Sequence, residues 1–73
     1  MSIVVYTKQN CGSCVKAKAL LAQKDIEYTE VSIDDDVTRG IFVEQYPDVR
    51  TVPFIVIDDV KVGSYEQLVE YLK

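Results

Sequence analysis

Ile3-Val4-Val5-Tyr6-Thr7-Lys8-Gln9-Asn10-Cys11-Gly12-Ser13-Cys14 is the stretch that decides the reading of this chain, and it holds both of its cysteines. Ile3 to Tyr6 is a short apolar, mostly β-branched run, apolar on both faces, as in a central strand covered on both sides. Thr7 to Asn10 is polar and reads as a loop. A helix is then expected from about Gly12 or Ser13 to Lys24, since Ala17, Ala19, Leu20, Leu21 and Ala22 all tolerate helical geometry well. Cys14, Ala17 and Leu21 follow three-to-four spacing and should face the core, leaving Lys16, Gln23 and Lys24 for water. A Cys-x-x-Cys pair between a strand and a helix reads as a redox site. Two intervening residues let the thiols close a small disulfide ring, and the helix start favours one of them as thiolate.

Position assigns the roles. Cys11 lies just before the helix, where free backbone N–H groups and the helix dipole favour an anion, and Lys8 adds a positive charge three residues earlier. Cys14 is one turn inside and should be more buried. Cys11 therefore attacks, and Cys14 resolves the mixed disulfide and releases the reduced partner. Gly12 and Ser13 bring no fixed charge to the ring.

Three other readings of the pair compete. A structural staple would constrain the unfolded chain very little across so short a ring. Half of a zinc site would need a second subunit, because zinc takes four ligands and the chain has no histidine. Two inert core cysteines rarely come with this spacing after a strand.

Outward from this stretch the chain continues with the run Ile26 to Ile33, read as a second strand. Its alternation changes phase between Ile26/Tyr28 and Val31/Ile33, so either a bulge near Thr29-Glu30 or a strand shorter than the run is expected. Asp34-Asp35-Asp36 leads into a helix from Val37 to Tyr46, stopped by Pro47; acids at a helix start are favoured by its dipole, which is reading enough for this run. Val52 to Ile57 is a third strand with Pro53 at its entrance. Asp58-Asp59 turns it into Val60-Lys61-Val62, and Gly63 breaks that strand. Ser64 caps a last helix in a capping-box pattern with Gln67, whose stripe Tyr65, Leu68, Val69 and Leu72 faces the core. The order is β-α-β-α-β-β-α. The first βαβ unit should be parallel and right-handed, with a closing antiparallel hairpin. An α/β fold follows, a mixed four-stranded sheet with helices on both faces.

Seventy-three residues, 48% of them apolar and 27% charged, make one domain over residues 1–73 with a thin stability margin. The net charge of −4 argues against a nucleic-acid partner and against an anionic membrane surface. No apolar run is long enough to span a bilayer. The N-terminus shows no charged leader with a long apolar core, so a reducing, cytoplasmic compartment is expected. Without histidine, Cys–His and Ser–His activation are unavailable.

Tyr6-Thr7-Lys8 before Cys11-Gly12-Ser13-Cys14, then Thr51-Val52-Pro53, then Val62-Gly63-Ser64-Tyr65-Glu66 resembles a small glutaredoxin over nearly the whole chain, with the glutaredoxin-like redoxins that supply ribonucleotide reductase as a close second match. The length suits a minimal member of the kind found in bacteria and in viruses that infect them, the latter working in the host cytoplasm. The resemblance implies a thioredoxin-like fold in which Pro53 is cis and faces the cysteines, so that the Val52 backbone pairs with an incoming peptide like an added strand. It implies dithiol–disulfide oxidoreductase activity on protein disulfides or glutathione mixed disulfides, with glutathione as cosubstrate and no bound cofactor or metal. Lys8 and Arg50 would meet the glycine carboxylate of glutathione. Thr51, Val52 and Pro53 would hold its cysteinyl backbone, and Gly63, Ser64, Tyr65 and Glu66 would receive its γ-glutamyl end. Between the cysteines stand Gly12 and Ser13, where family members commonly carry Pro-Tyr. Ribonucleotide reductase is the implied protein client. Recharging by thioredoxin reductase instead of glutathione is the rival within the class. A non-catalytic module, as a zinc-bridged dimer or an adaptor, is the rival outside it. A monomer is expected.

Overall fold

A computed structural model describes residues 2–49 and 51–73. The element order is β1 (Ile3–Thr7), α1 (Gly12–Gln23), β2 (Thr29–Ser32), α2 (Asp36–Gln45), β3 (Phe54–Ile57), β4 (Val60–Gly63) and α3 (Tyr65–Tyr71). This is the expected order. The strands line up as β2-β1-β3-β4. The β1/β2 pair is parallel, and β1/β3 and β3/β4 are antiparallel, which makes the sheet mixed.

Alternation along the central strands builds two cores. Ile3 and Val5 of β1 and Ile55 and Ile57 of β3 point to one face, where Ala17 and Leu21 of α1 and Leu68 of α3 cover them. Phe54 and Val56 point to the other face and meet Phe42 of α2, with Tyr6 and Tyr46 packed alongside. All four residues of β3 are buried, which is why the run Phe54-Ile55-Val56-Ile57 carries no polar phase. The first core is aliphatic. The second is an aromatic cluster with Tyr6–Phe42 centroids 4.8 Å apart and Tyr46–Phe54 centroids 5.0 Å apart. Burial and the bond to Tyr46 push the Tyr6 phenol above its ordinary value. Lys61 of β4 lies 5.9 Å above the Tyr46 ring and ties this face to the sheet edge.

Some boundaries differ from expectation. The second strand is the shorter alternative, Thr29–Ser32 alone. Ile26 and Tyr28 instead pack on the aliphatic core from the connection after α1. Asp25 N–H and Ile26 N–H bond back to Ala22 O and Leu21 O, which leaves that connection out of the ladder. Thr7 ends β1 instead of opening the loop. β3 starts at Phe54, two residues after Val52, and the Val52–Pro53 bond before it is cis. α2 is displaced by one residue at each end, with Asp35 Oδ2 accepting the Thr38 N–H at 3.1 Å and Tyr46 serving as the C-cap. Asp58 and Asp59 both take positive φ, the geometry of a two-residue hairpin turn. Within the stripe of α3, Leu68 is buried and Tyr65 and Leu72 pack on the aliphatic core. Among the described residues no helix is long and apolar enough to cross a membrane.

Candidate functional site

Cys11 is the N-cap of α1 and Cys14 sits in its first turn, so the helix itself sets their spacing. The two sulfurs form a disulfide with Cα atoms 5.3 Å apart. Cys11 Sγ accepts the Cys14 N–H at 3.2 Å, one of the donors a helix start leaves free. The same interaction would stabilise a Cys11 thiolate once the disulfide is reduced. Burial separates the pair: Cys14 is 2% exposed, while Cys11 is only half-buried. Across from Cys11, Val52 O lies 3.6 Å from its sulfur, so the chain around the cis bond forms the opposite wall.

A groove of about 460 Å³ opens on the Cys11 side. Lys8, Cys11, Thr51 and Val52 line it together, which brings four of the sequence-derived residues to one place. Pro53 is buried behind them. Arg50 lies outside the described residues. The groove also contains Arg39, Phe42, Val43 and Val49, which sequence reasoning missed. Arg39 pairs with Asp36 one turn earlier on α2, so its sequence context reads as an ordinary surface ion pair. Only the packing of α2 against β3 brings it toward Cys11.

A second cavity, about 580 Å³, opens on the other side of the Lys8–Asn10 loop, and both cysteines reach it. Its lining includes the polar side chains of Thr7, Lys18, Glu30, Ser32 and Asp34. Thr7 Oγ1 donates to Glu30 Oε2 at 2.7 Å, and Lys18 Nζ reaches the same oxygen at 3.0 Å. These two donors, Thr7 first, hold the Glu30 carboxyl below its ordinary value. Asp34 accepts the Gln9 N–H at 3.0 and 3.1 Å and the Ser32 hydroxyl at 2.7 Å, and these bonds lower its pKa as well. Of the three acids after β2, Asp34 thus pins the loop in front of Cys11, while Asp35 and Asp36 serve the start of α2.

Gly63, Ser64, Tyr65 and Glu66 line neither opening. They sit at the start of α3, beside the active end of β3 through the pairing of Gly63 with Ile55. Gly63 takes φ +112, a backbone geometry that side-chain-bearing residues rarely adopt, and a Cβ there would also push the Gln67 amide out of its place. Gln67 Oε1 accepts the Ser64 N–H at 2.8 Å, one arm of the expected capping box. Tyr65 turns toward the aliphatic core, and Glu66 is exposed.

The Glutaredoxin family model matches residues 3–62. This chain belongs to the glutaredoxin family. It is 34% identical to Glutaredoxin 1 of Rickettsia felis over 74 aligned residues, covering 99% of this chain and 72% of that protein. Its fold is similar to the crystal structure of Glutaredoxin 1 from Francisella tularensis complexed with cacodylate, at a TM-score of 0.85 and 29% identity over 97% of this chain and 91% of that one. It is also similar to a buckwheat glutaredoxin–glutathione complex, at a TM-score of 0.80 and 26% identity over 96% of this chain and 66% of that one. The fold is therefore thioredoxin-like. This glutaredoxin carries the redox-active pair of its family at Cys11 and Cys14, and its activity is thiol–disulfide oxidoreduction. Among the described residues no group of three or more His, Cys, Asp or Glu side chains converges as metal ligands.

Proposed function

We propose that this glutaredoxin reduces glutathione mixed disulfides and protein disulfides, with Cys11 as nucleophile, Cys14 as resolver and glutathione as the cosubstrate. The observation that carries the reading is the asymmetry of the pair. Cys11 is reachable and takes an amide from the helix start, while Cys14 is buried behind it. The Cys11 thiolate attacks a substrate disulfide, the S–S bond breaks, and the first thiol leaves with a proton. Cys14 then attacks Cys11, which releases the second thiol and leaves the Cys11–Cys14 disulfide. Two glutathione molecules return the pair to the dithiol and become one glutathione disulfide.

In the groove, the Lys8 ammonium receives the glycine carboxylate, with Arg39 a second cation nearby and Arg50 a third candidate. Thr51, Val52 and Pro53 align the cysteinyl backbone, as strand addition would. Gly63, Ser64, Tyr65 and Glu66 border the γ-glutamyl end. Glutathione in the buckwheat complex supports this choice of ligand class. Ribonucleotide reductase as client rests on family resemblance, and so does a cytoplasmic location.

The electron donor is tested by mixing the oxidised protein either with reduced glutathione or with NADPH and thioredoxin reductase. Rapid reduction by glutathione alone is expected. Rapid reduction only by thioredoxin reductase would move the protein to the redoxin reading, and one zinc per two chains by elemental analysis would overturn both.

A further inference from the structure

The cavity on the Cys14 side holds groups that the reaction above leaves unused. Cys14 and Lys18 are one helical turn apart on α1 and line this cavity together. Lysine on a surface helix normally ranges over solvent, but Lys18 Nζ is bonded to Glu30 Oε2 at 3.0 Å. That oxygen also accepts from Thr7 Oγ1 at 2.7 Å. Thr7 is 3% exposed, the one buried polar side chain among the described residues. A buried hydroxyl thus fixes a carboxylate, and the carboxylate fixes an ammonium in the cavity that Cys14 also lines.

Cys14 needs such help more than Cys11 does. Cys11 already takes the Cys14 amide, and its cap position gives it the helix dipole. Cys14 is inside the first turn and buried, and burial disfavours its thiolate. The charged groups around it in the cavity are Lys8 from the loop, Lys18 from α1, Glu30 from β2 and Asp34 after β2. Asp34 is engaged by Gln9 and Ser32, and Glu30 by Thr7 and Lys18. Of the two cations, Lys18 is the one carried on the same helix face as Cys14.

We propose that Lys18, held by Glu30 and Thr7, is a positioning residue for the resolving step, favouring the thiolate of Cys14 as it attacks the mixed disulfide on Cys11. The proposal rests on the reading of Cys14 as resolver. In that step Cys14 loses its proton to water in the open cavity, a Cys14–Cys11 bond forms, and the Cys11–substrate S–S bond breaks. The departing thiolate takes up a proton. In this step the Cys14 sulfur gives up one electron and the departing substrate sulfur gains one; over the two exchange steps together the cysteine pair loses two electrons and the substrate disulfide becomes two thiols.

The test uses the Cys11→Ser protein, in which Cys14 is the only thiol, and follows thiolate absorbance at ultraviolet wavelengths against pH. Adding Lys18→Gln should lower the Cys14 thiolate fraction near neutral pH about threefold, a size suited to a partly exposed charge. Lys18→Arg should restore it, and Lys18→Glu should lower it further. In the two-cysteine protein, Lys18→Gln should slow release of thiol from a preformed mixed disulfide about threefold near neutral pH, and the deficit should vanish at alkaline pH, where Cys14 is ionised regardless. The same Cys14 titration in all four proteins would overturn the proposal, as would an equal slowing in Lys18→Arg. The titration needs neither client nor glutathione. Its failure is therefore separable from failure of the resolver assignment, which would appear as unchanged protein-disulfide reduction in Cys14→Ser.

Discussion

Two openings meet at the cysteine pair, and they are built differently. The Cys11 side is a groove that includes Phe42, Val43, Val49 and Val52, with Lys8 and Arg39 as its cations and Asp34 as an acid. The Cys14 side is a cavity in which Glu30 is bonded to Thr7 and Lys18, and Asp34, shared with the groove, is bonded to Gln9 and Ser32. The first suits an incoming ligand, with surface to bury and charge to pair. The second suits a proton leaving a buried thiol. A dithiol enzyme needs both properties, and here they lie on opposite sides of one short loop, Lys8 to Asn10.

This comparison breaks most visibly at Lys8. Its ammonium lines both openings, but the proposed work is on the Cys11 side. Lys8→Gln should raise KM for glutathione mixed disulfides about tenfold, the usual scale for losing one charge-assisted contact. Steady-state kinetics should place the loss in KM, with kcat for the bound complex nearly kept. A loss confined to kcat would assign Lys8 to Cys11 activation instead of ligand binding.

A smaller effect sharpens the Cys14 side. The Glu30 carboxyl is held below its ordinary value by Thr7 and Lys18, so the ionised form is favoured by folding. This stability is present above the unfolded carboxylate range and is lost as pH falls through the lower folded value. Both partners of the ion pair are about one-third exposed, which keeps the effect small. Glu30→Gln should cost about 0.5 kcal/mol at neutral pH by chemical denaturation. The cost should shrink as pH falls below the ordinary carboxylate range and vanish below the lowered folded value, where the wild-type carboxyl is itself protonated. A cost that persists unchanged at acid pH would mean that shape, not charge, holds Thr7.

The parts of this design that were legible in the sequence are the local ones. Cys11 and Cys14 take their positions from a helix start whose residues are contiguous. Phe54 to Ile57 declares a doubly buried strand by lacking any polar phase, and Ser64 with Gln67 declares a cap. Tertiary choices were not legible. Ile26 and Tyr28 have strand chemistry, but the core takes them from a connection, since the turn after α1 bonds the Asp25 and Ile26 N–H groups to α1 carbonyls. Arg39 looks like a surface ion pair until α2 is packed on the sheet. Lys18, Glu30 and Thr7 sit on α1, β2 and β1, and parallel pairing of β1 with β2 is what brings Thr7 and Glu30 within bonding distance. The cysteine pair could be read from a motif, while the placement of Arg39, Lys18 and Glu30 around it depends on long-range packing.

The most direct test of the account sets Cys11→Ser beside Cys14→Ser in reduction of a glutathione mixed disulfide by reduced glutathione. Cys11→Ser should lose all activity, because the buried Cys14 cannot reach a substrate. Cys14→Ser should keep exchange with the glutathione mixed disulfide while losing reduction of protein disulfides. Full activity in Cys11→Ser would contradict the assignment of attacker and resolver on which the account rests.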